Sequence, residues 1–352
     1  MNWLKKGWIL FCLLGLLASF AGCSQNEVQS NEPMGKVYFN WFDTVSYVYN
    51  YAGDPAERFE ELSAGVSGIL TEYHQLFDIY HEYSGINNLC TINRLAGGES
   101  LSVDPKLIDF LLYAKELYEQ TDGEMNILLG PVLKIWHDHR TAATDDPSAA
   151  ALPQQVQLTE ADGHTDFSLL EIDAENCTVR LADPRAAIDV GALGKGYATE
   201  QAALYLEEQG ATSYVLNIGG NIRIVGAKPD GGGWRTAVKD PEDPENSYVA
   251  ILNLADTACV TSGNYERFFT VEGKQYHHII DPDTLWPAEQ FASVTVVTRD
   301  SGLADALSTA LFCMSYEDGL ALVNRLGNVD VLWVGHDGTL LQTSGMESLL
   351  TN

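Results

Sequence analysis

The chain has 352 residues, with 49 acidic side chains against 20 basic ones and a formal net charge of −29. So negative a surface repels nucleic acid and anionic headgroups, which excludes general polyanion binding. Its six cysteines include no C-x-x-C pair, which excludes zinc-site spacing.

Lys5 and Lys6 precede an apolar run from Trp8 to Phe20, followed by Ala21-Gly22-Cys23. About a dozen apolar residues are too few to span a bilayer comfortably and match a signal-peptide core. The small-small-Cys ending reads as a lipoprotein signal. Residues 1–22 would be removed, and the Cys23 thiol would carry lipid. Removal takes away two lysines and no acids, leaving −31. Ser24 to Gly35 is polar and aperiodic, so 23–35 reads as a flexible tether to a domain over 36–352. The expected location is a cell membrane, lipid-anchored, with the domain on the extracytoplasmic side.

Val37 to Tyr51 alternates with β-branched and aromatic residues and predicts a strand. Asp54-Pro55-Ala56-Glu57 has the spacing of a capped helix start. Phe59, Leu62, Val66, Ile69, Tyr73 and Leu76 give that helix one apolar face. A second helix starts at Asp104-Pro105 and ends at Thr121-Asp122-Gly123. Thr141 to Ala151 reads as a surface excursion. A third helix spans Gly196 to Glu208, ended by Gly210. Short strands follow at 213–218, 222–226, 234–238, 248–254, 268–271, 276–280 and 293–297. Helices at 302–315 and 317–326 and strands at 329–334 and 340–343 close the chain. Helices concentrate early and strands late. That pattern predicts an α+β fold, one large domain with helices packed on mixed or antiparallel sheets. Cys259 and Cys313 lie in apolar stretches and read as buried free thiols.

Five clusters carry chemistry. From Ile188 to Ala198 the chain reads I-D-V-G-A-L-G-K-G-Y-A. Glycines that let backbone approach closely, a helix start and Lys195 suit a phosphate-bearing ligand, although a structural turn reads the same way. Asn217-Ile218-Gly219-Gly220-Asn221 fits a bend that meets a ligand, or a plain glycine turn. Thr261-Ser262-Gly263-Asn264-Tyr265-Glu266-Arg267 offers hydroxyls and an amide to phosphate or ring oxygens, or is a solvated turn. His278, on a strand beside Asp281-Pro282, can move protons near neutral pH or be structural. His277 should point to the opposite strand face. Asp305 and Thr309 share a helix face at i and i+4, a pair of hard oxygen ligands suited to Mg²⁺. A buried Asp paired with an amide or a lysine is the other reading.

Together these residues resemble the ApbE-like family of FAD:protein FMN transferases. The likeness rests on D-x-G-A-x-x-K-G at Asp189–Gly196, N-x-G-G-N at Asn217–Asn221 and T-S-G-x-Y-E-R at Thr261–Arg267. It continues through H-x-I-D-P at His278–Pro282 and D-A-L-S-T-A at Asp305–Ala310. Weaker matches lie at Phe42-Asp43-Thr44, Tyr80 to Asn93 and Gly123 to Trp136. The resemblance implies transfer of the FMN half of FAD, through its phosphate, to a threonine or serine of another protein, with AMP leaving. It implies Mg²⁺ held by Asp305, Thr309 and the Ala192 carbonyl. It implies a flavin-nucleotide pocket of Asp189, Lys195, Asn217, Gly219, Gly220, Thr261 and Ser262, with Tyr80 over the flavin ring. His278 is the candidate base. An exported or membrane-bound redox protein is the implied acceptor.

Two positions depart from the family pattern. Leu285-Trp286 stands where D-P-x-T is usually followed by Gly, and Asn126 stands where Asp is common. An FAD pyrophosphatase, with water as acceptor, and a non-catalytic flavin-binding lipoprotein are the competing readings.

Overall fold

The computed structural model describes residues 33–51 and 53–351. The proposed signal, Cys23 and most of the tether therefore lie outside the described residues. An eight-stranded sheet organises the fold. In spatial order it comprises β1 (Met34–Trp41), β2 (Thr44–Asn50), β6 (Tyr214–Ile218), β7 (Asn221–Val225), β10 (Ala258–Gly263), β13 (Ser293–Thr298), β14 (Asp330–Val334) and β15 (Leu340–Gln342). Every pairing in it is antiparallel. Three small sheets pair β3 (Leu101–Ser102) with β5 (Thr178–Leu181) and β4 (Leu170–Asp173), β8 (Trp234–Lys239) with β9 (Tyr248–Leu254), and β11 (Phe268–Val271) with β12 (Lys274–His277).

Three helices stack on one face of the large sheet. They are α1 (Ala56–Phe77), α6 (Gly194–Glu208) and α7 (Ser301–Cys313). The remaining helices are α2 (Leu89–Arg94), α3 (Pro105–Gln120), α4 (Gly130–Asp145), α5 (Gln155–Asp162), α8 (Tyr316–Leu326) and α9 (Ser344–Leu349). The apolar stripe read along α1 faces inward: Phe59, Leu62, Val66, Tyr73 and Leu76 are buried together with Val48, Leu216 and Ile218 from the sheet. Burying each such side chain stabilises the fold by roughly 1.5–3 kcal/mol. The β8–β9 hairpin and α9 cover part of the opposite face through Val238, Leu252, Leu254 and Met346.

Several expectations shift. The single strand over 37–51 is a hairpin, because Phe42 and Asp43 adopt positive φ of 52° and 49° and turn β1 back on β2. Asp54 does not cap α1. Its carboxylate instead accepts from Tyr214 Oη at 2.7 Å and from Asn50 at 2.9 Å. The excursion at 141–151 is helical as far as Asp145. The strand expected over 276–280 ends at His277, so His278 lies in a bend. Leu285 occupies the family's glycine position with φ 64°, the left-handed conformation that glycine would adopt without strain. Its side chain is buried with Leu129, Val132 and Trp136, which offsets that strain. Cys259 and Cys313 are buried free thiols, as expected, and Cys90 and Cys177 are free as well.

Candidate active site

The glycine-rich loop is pinned before it turns. Ile188 donates to Asn93 Oδ1 at 2.7 Å and accepts from Asn93 Nδ2 at 2.9 Å, so a side chain replaces the strand partner that an apolar run would otherwise seek. Asp189 is half-buried and accepts from Gly191 N at 2.9 Å. Burial pushes its carboxyl above the usual range, opposed by that N–H and by the charges of His137, Arg140 and Arg267. Helix α6 then begins at Gly194, and Lys195 leans back so that its Nζ donates to Gly191 O at 3.4 Å.

The late helix meets this loop directly. Gly196 N donates to Asp305 Oδ2 at 2.8 Å across 109 residues of sequence. The approach needs a glycine: a Cβ at position 196 would lie 2.4 Å from both Asp305 Cβ and Ser301 O. Asp305 is only 5% exposed, and its other carboxylate oxygen has no hydrogen-bond partner among the described residues. Thr309, one turn on, is half-buried, and its hydroxyl lies 3.4 Å from Ser262 Oγ.

These groups line one cleft of about 1380 Å³, together with Ala192, Lys195, Asp189, Asn217, Gly219, Gly220, Thr261, Ser262, His278 and Tyr80. Every site residue read from the sequence is thus on its walls. Some are also bound internally. The β6–β7 turn holds Gly219 and Gly220 at φ 57° and 94°, and Asn217 Oδ1 accepts from Gly220 N at 2.9 Å. The turn is thus built internally, and it also lines the cleft. Thr261 Oγ1 is hydrogen-bonded to Thr295 Oγ1 at 2.8 Å, and Ser262 Oγ to Ser308 Oγ at 2.8 Å. Asn126 spends its side chain on Leu128 N at 2.8 Å and Thr165 O at 2.9 Å. At that position the amide caps a helical turn.

His278 is half-buried, and its Nδ1 is closed to solvent without a hydrogen-bond partner. Burial first, then Arg267, Arg140, His277 and Lys195, pull its pKa down to about 3. The ring is therefore neutral at physiological pH. His277 is structural: its Nε2 bonds Ala288 O at 2.9 Å and its ring meets Phe312 edge-on.

Sequence reasoning missed part of the opposite wall. Helix α4 brings His137 and Arg140 into the cleft, with the His137 ring 5.8 Å from that of Tyr80. The i, i+3 spacing was the available signal, but it carries no meaning until the segment is known to be helical. Arg140, Lys195 and Arg267 all face the cleft, and none has a carboxylate partner among the described residues. Three unpaired cations in one cleft of so acidic a chain mark an anion site. Glu124 stands at another part of the wall. Burial, then Asp283, Asp281 and Asp318, push its carboxyl up to about 7.

The donor set fits a magnesium ion. No group of three or more His, Cys, Asp or Glu side chains able to hold a metal occurs among the described residues. Magnesium does not need one. It takes one or two carboxylates and completes its shell with neutral oxygens, water and substrate phosphates. The unpartnered Asp305 oxygen, the Thr309 hydroxyl and the Ala192 carbonyl offer that chemistry.

Known proteins resemble this chain in sequence and in fold. A sequence profile of the ApbE family matches residues 44–333. The FAD:protein FMN transferase of Treponema pallidum is 30% identical over 318 residues, covering 86% of this chain and 85% of that protein. The FAD:protein FMN transferase of Klebsiella pneumoniae is 28% identical over 290 residues, 81% of this chain and 85% of its own length. Among solved structures, the ApbE protein of Thermotoga maritima superposes with a TM-score of 0.79 at 26% identity, covering 91% of this chain and all of that one (100%). The flavin transferase ApbE of Vibrio cholerae gives 0.74 at 25% identity, over 91% and 99%.

Proposed function

The chain belongs to the ApbE family, and from that premise we propose a Mg²⁺-dependent transfer of the FMN half of FAD to a threonine or serine hydroxyl of an acceptor protein, releasing AMP. One observation carries the reading: the glycine loop and the late helix meet at Gly196 N and Asp305 Oδ2, 2.8 Å apart, on a wall of the cleft that also holds His278.

The reaction is displacement at the FMN-side phosphorus, so the task is to position reactants and to balance charge that develops on oxygen. Asp305, Thr309 and the Ala192 carbonyl would hold the metal, which would supply charge neutralisation at the diphosphate. Lys195 supports the same oxygens from the loop. Asp189, Asn217, Gly219, Gly220, Thr261 and Ser262 shape the nucleotide pocket, and Tyr80 covers the flavin. His278 takes the acceptor proton. In the free protein burial first, and then the neighbouring cations, depress its basicity. A bound diphosphate offsets the cationic part of that shift, so the imidazole regains some basicity when substrate arrives.

The acceptor is an exported or membrane-bound redox protein, and Cys23 anchors the enzyme beside it through lipid. No helix among the described residues is long and apolar enough to cross a membrane. The test is Asp305→Ala, assayed for FAD turnover across a Mg²⁺ titration. The reading expects metal-dependent turnover to vanish; full activity in the variant would remove Asp305 from the metal site.

A further inference from the structure

Asp305 is fixed by more than its contact with Gly196. Helices α6 and α7 run antiparallel and are joined by two rungs spaced one turn apart along each helix. In the first rung Gly196 N donates to Asp305 Oδ2 at 2.8 Å. In the second, Ser301 N donates to Glu200 Oε2 at 2.7 Å. Gly196 and Glu200 share a face of α6, and Ser301 and Asp305 share a face of α7. The second rung places a carboxylate on the first turn of α7, where the helix dipole favours negative charge.

Glu200 is in turn held from the sheet. Arg223, on β7, is fully buried. Its Nε and Nη2 donate to Glu200 at 3.0 and 3.2 Å, and Nη2 also donates to Glu207 at 2.8 Å. Arg299, just before α7, closes the network. It donates to Glu207 at 3.0 Å and to Asp256 at 2.6 Å. Sheet, α6 and the start of α7 are thereby locked together one turn away from the proposed metal ligand. The Arg223–Glu200 pair at its centre is buried and costly to desolvate, whereas Arg299 and Asp256 lie at the surface.

We propose that Glu200, oriented by Arg223, is a positioning residue that sets the separation of α6 from α7 and so aims Asp305 at the metal. This rests on the metal-site reading above, and it assigns a function to residues that touch neither substrate nor metal.

The test uses the full chain and Mn²⁺ alone as probe, with binding read by electron paramagnetic resonance. Ser301→Pro removes the N–H of the second rung, and with it a buried hydroxyl that has no hydrogen-bond partner among the described residues; proline suits the first helical position, and Asp300 is already extended with ψ 121°. Glu200→Ala removes the carboxylate, and Glu200→Gln restores an acceptor oxygen. Ser301→Pro and Glu200→Ala should each weaken Mn²⁺ about tenfold or more, the usual effect of losing an outer-shell partner. Glu200→Gln should recover part of that loss. Amide exchange at Gly196 should quicken in parallel. A melting temperature that falls while the Mn²⁺ dissociation constant stays fixed would show a purely structural role and overturn the proposal. If the wild-type chain binds no Mn²⁺, the metal reading fails instead. The Gly196 exchange then decides the positioning claim by itself, and unchanged exchange in Ser301→Pro overturns it.

Discussion

Substituting alanine for glycine at two helical positions should have opposite effects. At Gly196 the added Cβ would sit 2.4 Å from Asp305 Cβ and from Ser301 O. Carbon atoms pack at about 3.5–4.0 Å, so α6 and α7 must part by about 1 Å. Overpacking of this kind costs about 1–3 kcal/mol. Replacing glycine in a helix returns at most about 1 kcal/mol, and less in a first turn. The net loss is about 1–2 kcal/mol, or a fall of about 2–6 °C in melting temperature. Function should suffer more, since a misplacement of about 1 Å in a reacting group costs about 100-fold in rate. Gly68, exposed on α1, has no atom within 4 Å of its would-be Cβ. There the propensity term stands alone, and Gly68→Ala should stabilise by up to about 1 kcal/mol with full activity. Calorimetry and turnover at saturating FAD and Mg²⁺ read both variants. If Gly196→Ala melts as high as Gly68→Ala and turns over like wild type, the close helix contact is not what holds Asp305.

Two pH effects follow from the cleft, with opposite signs. His278 has its folded pKa pulled down to about 3, so the unfolded chain binds the extra proton between about pH 6.5 and that value. Its contribution is complete above pH 6.5 and is lost as pH falls toward 3. His278→Asn should therefore flatten the acid limb of a stability profile by up to a few kcal/mol; an unchanged limb would contradict the burial argument. Glu124, pushed up to about 7, holds its proton in the folded chain where the unfolded chain has released it. Stability should fall as pH rises from about 4.5 to 7, and Glu124→Gln should stabilise by about 1–3 kcal/mol at pH 8 but not at pH 4. Equal urea midpoints at pH 8 for the variant and the wild type would count against it.

Much of the site was legible because its chemistry is local in sequence. Gly219 and Gly220 announce a tight turn, and Asp305 with Thr309 shows a helix face. What sequence could not show was which face meets which. The 2.8 Å contact between Gly196 and Asp305 spans 109 residues, and only the packed fold creates it. The fold class was readable from helices early and strands late, but the β1–β2 turn was not. Phe42 carries none of the chemistry that marks a left-handed turn, and tertiary packing on His74 holds it there through an edge-on ring contact at 5.5 Å. Helix α4 was missed for a related reason. Its apolar residues Val132 and Trp136 pack into a local cluster with Phe269, Ile280 and Leu285 from more than 130 residues further along the chain, so their partners are invisible in the linear order.

The most direct measurement mixes the purified chain with FAD, Mg²⁺ and an acceptor protein bearing a candidate threonine, then resolves the products by denaturing electrophoresis and nucleotide chromatography. A flavin-fluorescent acceptor band that survives denaturation, matched by AMP release, is the predicted result. Free FMN and AMP with no labelled band would show that water is the acceptor and would contradict transfer.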